Sequence, residues 1–283
     1  MVAPGAGPVQ RLTGRDDTVQ VDRRSRLARH TAGVIEAVVF DLDGVLLDSE
    51  RLWDRARRQV ADEHGGRWRP EATSDMQGMS SLEWSRYLRE QLGVELGEER
   101  IVELVVDALL DRYRQDLPLL PGAAEAVARI GRRWPLGLAS SANRPVIDEF
   151  LGLSGLTDAF GVTVSSEEVA RGKPHPDVYL EASRRLGAPS GDCVAIEDSS
   201  NGIKAALAAG MRVAVVPNRD FPPDAGLLDR ADLVVHHLDD LTVSRLGRLG
   251  NESDQGAADP VDEQEIESFP ASDSHSDWAG PPE

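Results

Sequence analysis

The stretch Phe40-Asp41-Leu42-Asp43-Gly44-Val45-Leu46-Leu47-Asp48-Ser49-Glu50 decides how this chain reads. The run Val34-Ile35-Glu36-Ala37-Val38-Val39-Phe40 leads into it. That run is short, β-branched and followed by Gly44, the pattern of a buried strand. Asp41 and Asp43 then stand at or just past the strand's carboxyl end, the edge where open α/β sheets bind ligands. Two carboxylates two residues apart suit a nucleophile and an acid/base around one metal ion. A strand that simply ends in a polar turn would leave the same residues, so the rest of the chain has to decide.

Three later stretches also put polar groups after short apolar runs. Leu136-Gly137-Leu138-Ala139 reads as a second buried strand with Ser140-Ser141 at its end, before a helix expected over 145–151. A serine there can donate to a phosphate oxygen beside backbone N–H groups, or it can simply cap the helix. A third strand, 161–164, leads into Gly172-Lys173-Pro174-His175-Pro176-Asp177. Pro174 biases Lys173 to an extended backbone and Pro176 suits a first helical turn. Lys173 could project toward the sheet edge and neutralise a phosphoryl group as a point charge, or it could be a surface lysine. His175 reads as a loop histidine. A fourth strand, 194–196, ends at Glu197-Asp198, followed by Ser199-Ser200-Asn201-Gly202 and a helix closed by Gly210. Acidic residues at this strand end suit Mg²⁺, a hard cation that takes oxygen ligands. They also suit a helix N-terminus for dipole reasons. Two more strands, 213–216 and 232–235, and a last helix over 239–249 follow. Strands alternating with helices predict an α/β fold, a doubly wound and mostly parallel Rossmann-like sheet.

Between the first two strand signals the pattern is helical throughout. Ser49 can cap a helix with Glu50 in its first turn. Leu52, Trp53, Ala56 and Val60 follow at helical spacing, and Gly65-Gly66 ends it. Further helices are expected over 81–92 and 98–114, the latter with Ile101, Leu104, Val105, Ala108 and Leu109 on one face. This is too long for one crossover helix and predicts an inserted α-helical domain. Trp53, Trp84 and Tyr87 read as its core. Pro118 and Pro121-Gly122 mark the return, with Pro121 suited to a first helical position.

The four motifs together resemble those of the haloacid dehalogenase (HAD) superfamily, in its phosphatase and β-phosphoglucomutase-like branch. Asp41-Leu42-Asp43-Gly44-Val45-Leu46-Leu47-Asp48-Ser49-Glu50 is similar to its first motif, Ser140 to its second, Gly172-Lys173-Pro174 to its third and Glu197-Asp198 to its fourth. The likeness covers roughly 34–249. It implies strand order 3-2-1-4-5-6, a HAD-like core at 34–51 and 117–250, and a helical cap at 52–116 that closes over the site. It implies Asp41 as nucleophile and Asp43 as general acid and base. Substrate phosphoryl oxygens would meet Ser140, Ser141 and Lys173. Mg²⁺ would be held by Asp41, the Asp43 carbonyl and Asp198, with Glu197 nearby or through water. The implied reaction is hydrolysis of a small phosphorylated metabolite, a sugar phosphate by analogy, through an aspartyl-phosphate.

Three rival readings compete with this one. Halide displacement needs neither a metal nor an acid at the second position, so Asp43, Glu197 and Asp198 argue against it. Mutases of this branch carry a cap arginine in a Gly-x-Ser-Arg context that grips a second phosphate. Here Gly78-Met79-Ser80-Ser81 puts Ser81 in that place; Arg51, Arg55 or Arg86 could substitute. An inactive scaffold used for binding is disfavoured because all four motifs are intact.

Composition bounds the partners. The net charge is −18, with six Arg and three Asp in residues 1–33, and ten acidic residues but no Lys or Arg in residues 251–283. The acidic balance argues against nucleic acid as the main partner. Both ends, 1–33 and 251–283, have the composition of disordered tails. No apolar run approaches the ~20 residues of a membrane helix, and no secretion signal is expected. The one cysteine, Cys193, excludes an intrachain disulfide. A reducing, cytoplasmic setting fits. Oligomeric state is left open.

Overall fold

A computed structural model describes residues 34–76 and 79–250. The expected tails therefore lie outside the described residues. Six strands form one sheet: β1 (Ala37–Phe40), β2 (Leu136–Ser140), β3 (Val162–Ser165), β4 (Cys193–Glu197), β5 (Arg212–Val215) and β6 (Leu233–Val234). Their order is β3-β2-β1-β4-β5-β6 and every pairing is parallel. Every residue of β1, β2, β4 and β5 is buried. Strands covered on both faces need apolar side chains at successive positions, so they read as continuous runs rather than alternating ones. Val38 and Phe40 pack into one core and Ala37 and Val39 into the other, as a two-residue period requires.

Helices α1 (Glu50–Glu63), α2 (Ala72–Asp75), α3 (Ser81–Glu90) and α4 (Glu98–Gln115) lie between β1 and β2 in the chain. The core on the Phe40 face of the sheet runs on into them through Trp53, Trp84, Leu88 and Ile101. The two chain segments that enter and leave this insert are bonded to each other. Asp48 N donates to Pro118 O at 2.8 Å, and Leu120 N donates to Leu46 O at 2.9 Å. The remaining helices flank the sheet: α5 (Ala123–Gly131), α6 (Arg144–Ser154), α7 (Asp177–Leu186), α8 (Ser200–Ala208), α9 (Ala225–Leu228) and α10 (Val243–Gly247). No helix among the described residues is long and apolar enough to cross a membrane.

Three local expectations need correction, and one element was not expected. Ser49 stands at the N-cap of α1, but no cap hydrogen bond forms; its hydroxyl donates to Asp43 instead. Pro121 is not a first helical residue, because α5 starts after Gly122, which sits in the left-handed region at φ 81°. The single helix expected over 239–249 is broken: a 3₁₀ turn at Leu238–Asp240 precedes α10, whose start is capped by Thr242. The short helix α2 went unforeseen, since four residues carry no readable period.

Candidate active site

β1 delivers Asp41 to the carboxyl edge of the sheet, where its backbone N–H donates to Ile196 O of β4 at 3.0 Å. Asp41 is buried. The chain then bends at Gly44, at φ 80°. A Cβ on Gly44 would stand 1.8 Å from Asp198 Oδ2, so the bend brings bare backbone against the carboxylate at the end of β4. Asp43, on the same bend, is only partly buried. Its Oδ1 accepts from Ser49 Oγ and, at 3.1 Å, from Trp53 Nε1.

Lys173 reaches the same edge from the loop before α7. Its Nζ lies 2.8 Å from Asp41 Oδ1 and donates to Glu197 Oε1 at 2.7 Å. Tyr179 OH of α7, which sequence reasoning missed, also donates to Glu197 Oε1, at 2.5 Å. Glu197 Oε2 accepts from Asp198 N at 3.1 Å and from Ser199 N at 3.4 Å. Glu197 is fully buried, and a Cβ on Gly202 would stand 1.8 Å from its Oε1. Burial pulls the Lys173 ammonium down, but the flanking Asp41 and Glu197 carboxylates more than offset this and hold it above its ordinary range.

The carboxylates are less well served. Burial pushes the Asp41 carboxyl up to about 8 against the pull of Lys173, with Glu197 adding to the rise. Burial, then Glu197 and Asp41, hold Asp198 well above the usual carboxylate range. Asp198 Oδ1 is buried with no hydrogen-bond partner; Asp41 Oδ1 has its ion pair with Lys173 but no aligned hydrogen bond. Asp41, Glu197 and Asp198 each place an oxygen within 4.8 Å of the others. Three buried carboxylates around one lysine, with one Asp198 oxygen left without a partner, form a donor set that fits a hard divalent cation.

Ser141 lines the cavity above this edge, with Asp41, Asp43, Lys173 and Asp198. Ser140 is fully buried beneath it, and its Oγ accepts from Ala142 N at 2.9 Å. The insert covers the cavity with Glu50, Trp53, Arg57, Met79, Ser81 and Trp84. Ser81 Oγ donates to Asn143 Oδ1 at 2.8 Å, which ties α3 to the start of α6. None of the arginines considered as substitute grips faces the cavity. Arg51 pairs with Asp220 at 2.6 Å, Arg86 lies 3.6 Å from Glu98, and Arg55 is exposed. The cation the insert does place there is Arg57, buried over the rings of Trp53 and Trp84. Sequence reasoning missed it and Glu50; the signal available was their spacing with Trp53 at i, i+3 and i+7 on α1. His175 stays outside the cavity lining.

Comparisons with known proteins agree with this geometry. The haloacid dehalogenase-like hydrolase family model matches residues 35–210. Hexitol phosphatase B of Escherichia coli is 35% identical over 223 residues, covering 75% of this chain and 96% of that protein. A phosphorylated carbohydrates phosphatase of Thermotoga maritima is 33% identical over 178 residues, covering 62% of this chain and 82% of that one. The crystal structure of CbbY from Rhodobacter sphaeroides in complex with phosphate superposes with a TM-score of 0.68 at 29% identity, over 75% of this chain and 99% of that chain. With more than half of its length matched by the family and its sheet ordered as described, the chain belongs to the haloacid dehalogenase-like hydrolases.

Proposed function

We propose that the protein hydrolyses small phosphate monoesters, sugar phosphates foremost, using Mg²⁺ and an aspartyl-phosphate intermediate. The observation that carries this reading is the edge shared by β1 and β4, where Asp41, Lys173 and Asp198 converge with one buried Asp198 oxygen left without a partner. The names of the relatives supply the substrate class. The cavity volume of about 170 Å³ favours a small ester.

Asp41, the Asp43 carbonyl and Asp198 would hold the ion, with Glu197 nearby or through water. Bound there, Mg²⁺ would neutralise the charge that makes phosphate monoesters repel an anionic nucleophile. Lys173, fixed by Glu197 and Tyr179, offers a second positive charge to the phosphoryl oxygens, and Ser141 a hydroxyl. Ser140 shapes the loop that presents them. An Asp41 oxygen attacks phosphorus as the bond to the leaving alcohol breaks. Asp43 gives its proton to that alcohol, then takes one from the water that attacks phosphorus and frees Asp41. Ser49 and Trp53 both donate to one Asp43 oxygen, which fixes the carboxyl for proton transfer. Residues 52–116 act as a cap that shields this exchange from bulk water.

The mutase alternative requires a second phosphate grip. Ser81 offers a neutral hydroxyl already committed to Asn143, and the Arg57 charge in the cavity is accompanied by Glu50 and Asp43, which disfavour a second phosphate beside it. Water is therefore the acceptor in this reading. The test is phosphate release from a panel of phosphate esters with Mg²⁺. Turnover that survives excess chelator would overturn the metal assignment. Fast isomerisation of β-glucose 1-phosphate with little phosphate release would overturn the hydrolase.

A further inference from the structure

We propose that Glu50 and Arg57 read the hydroxyl groups of the leaving alcohol, which makes α1 the specificity element of the enzyme. The inference rests on the hydrolase reading above and names what that site selects.

Glu50, Trp53 and Arg57 form one stripe along α1 and all three line the cavity. A helix stripe turned toward the interior is ordinarily apolar. Here it carries an acceptor, an indole and a donor fork. Trp53 links the stripe to the chemistry: its Nε1 donates to Asp43 at 3.1 Å, and the Arg57 guanidinium lies 5.2 Å from its ring centroid. Asp43 is the group that meets the leaving oxygen. The stripe therefore lies on the leaving-alcohol side of the site.

Arg57 is 8% exposed, and among the described residues no carboxylate lies within ion-pair distance of it. Its Nε is buried without a hydrogen-bond partner. Burial pulls its guanidinium below the ordinary range, and the negative charges of Glu50, Asp54 and Asp43 offset this only in part. Buried donors in native proteins are generally paired, so a cavity-lining arginine with an unpaired donor and no ion pair has donor capacity left for a ligand acceptor. Glu50, partly buried on the same stripe, supplies the complementary acceptor. Neighbouring hydroxyls both give and accept, and match such a pair. A second phosphate or carboxylate would satisfy Arg57 but would have to sit against Glu50 and Asp43.

The experiment measures kcat/KM for glucitol 6-phosphate and for n-hexyl phosphate, a chain of equal length without the hydroxyls. Each hydrogen bond to a charged group contributes on the order of tenfold or more in selectivity. The wild-type protein is expected to prefer the polyol by about a hundredfold. Arg57→Met and Glu50→Gln are each expected to reduce that ratio by about tenfold. Glu50→Gln carries the test if Arg57→Met does not fold. An unchanged ratio in the folded variants overturns the proposal. So does an Arg57→Met protein that keeps its polyol preference and selectively loses glucose 1,6-bisphosphate, which would make Arg57 a second-phosphate grip. If the wild type hydrolyses p-nitrophenyl phosphate but shows no polyol preference, the specificity inference fails while the hydrolase stands. If no ester releases phosphate, the hydrolase reading itself fails.

Discussion

Two buried cations border one cavity, and they are held in opposite ways. Lys173 is clasped by Asp41 and Glu197, and Tyr179 secures Glu197 in turn. Arg57 rests on two indole rings with no ion pair among the described residues. The sheet edge is thus assembled before any ligand arrives, while the insert keeps donor capacity in reserve. Preorganised charge is what a reacting centre needs, because reorganising dipoles during the reaction would add to the barrier. A recognition surface needs the reverse, since a donor already satisfied within the protein contributes little to ligand selection.

The largest break in this comparison should come from Lys173→Met. Removing one partner of a buried ionic cluster leaves uncompensated charge, at about 3–5 kcal/mol. Urea unfolding should report that loss, and phosphate release should fall by at least about three orders of magnitude. A variant that stays active and stable would mean that Lys173 is not part of the assembled edge. Next in size is Gly202→Ala. The added methyl would meet Glu197 Oε1 at 1.8 Å, so helix and carboxylate must separate. A loss of about 2–4 kcal/mol is expected, together with weakened activity. Unchanged melting would show that the contact relaxes freely. Tyr179→Phe removes one hydrogen bond to Glu197 and should cost about 1–3 kcal/mol. Its turnover should fall far less than that of Lys173→Met, because Lys173 stays in place. Arg57→Met should alter stability least, by about 1 kcal/mol, since exchanging a cation on a ring for a thioether keeps much of the packing. A loss as large as that of Lys173→Met would erase the distinction between the two cations.

The sheet edge was legible, and the insert was legible as a run of helices; the residues the insert turns into the cavity were not, for a physical reason. Strands buried on both faces announce themselves as apolar runs, and a polar residue that ends such a run marks the carboxyl edge. Asp41, Ser140 and Asp198 were visible in that way, and Lys173 through the prolines of the loop after β3; the parallel order brings the strand ends together. Arg57 was hidden because an arginine on an amphipathic helix normally marks the solvent face. Only tertiary packing against Trp84 reveals it as interior. Ser49 misled for a similar reason: cap propensity is local, and the competing acceptor, Asp43, comes within reach only once the chain bends at Gly44. Glu197 shows a subtler limit. Its place at the end of β4 was readable, but its partners Lys173 and Tyr179 come from the loop and helix after β3 and only the fold brings them to it.

The paired hydrogen bonds between the segments that enter and leave the insert have a consequence for chain topology. Asp48 is joined to Pro118, and Leu46 to Leu120, so the two junctions are neighbours in space. From the standpoint of the sheet, everything between them is a closed loop whose ends already meet. The entropy of closing such a loop grows only with the logarithm of its length. Helices can therefore be added, removed or exchanged there with little effect on the pairing of β1 with β2. A sheet edge of fixed chemistry can in this way carry interchangeable covers, since a change of cover need not disturb the strands that present Asp41 and Asp198.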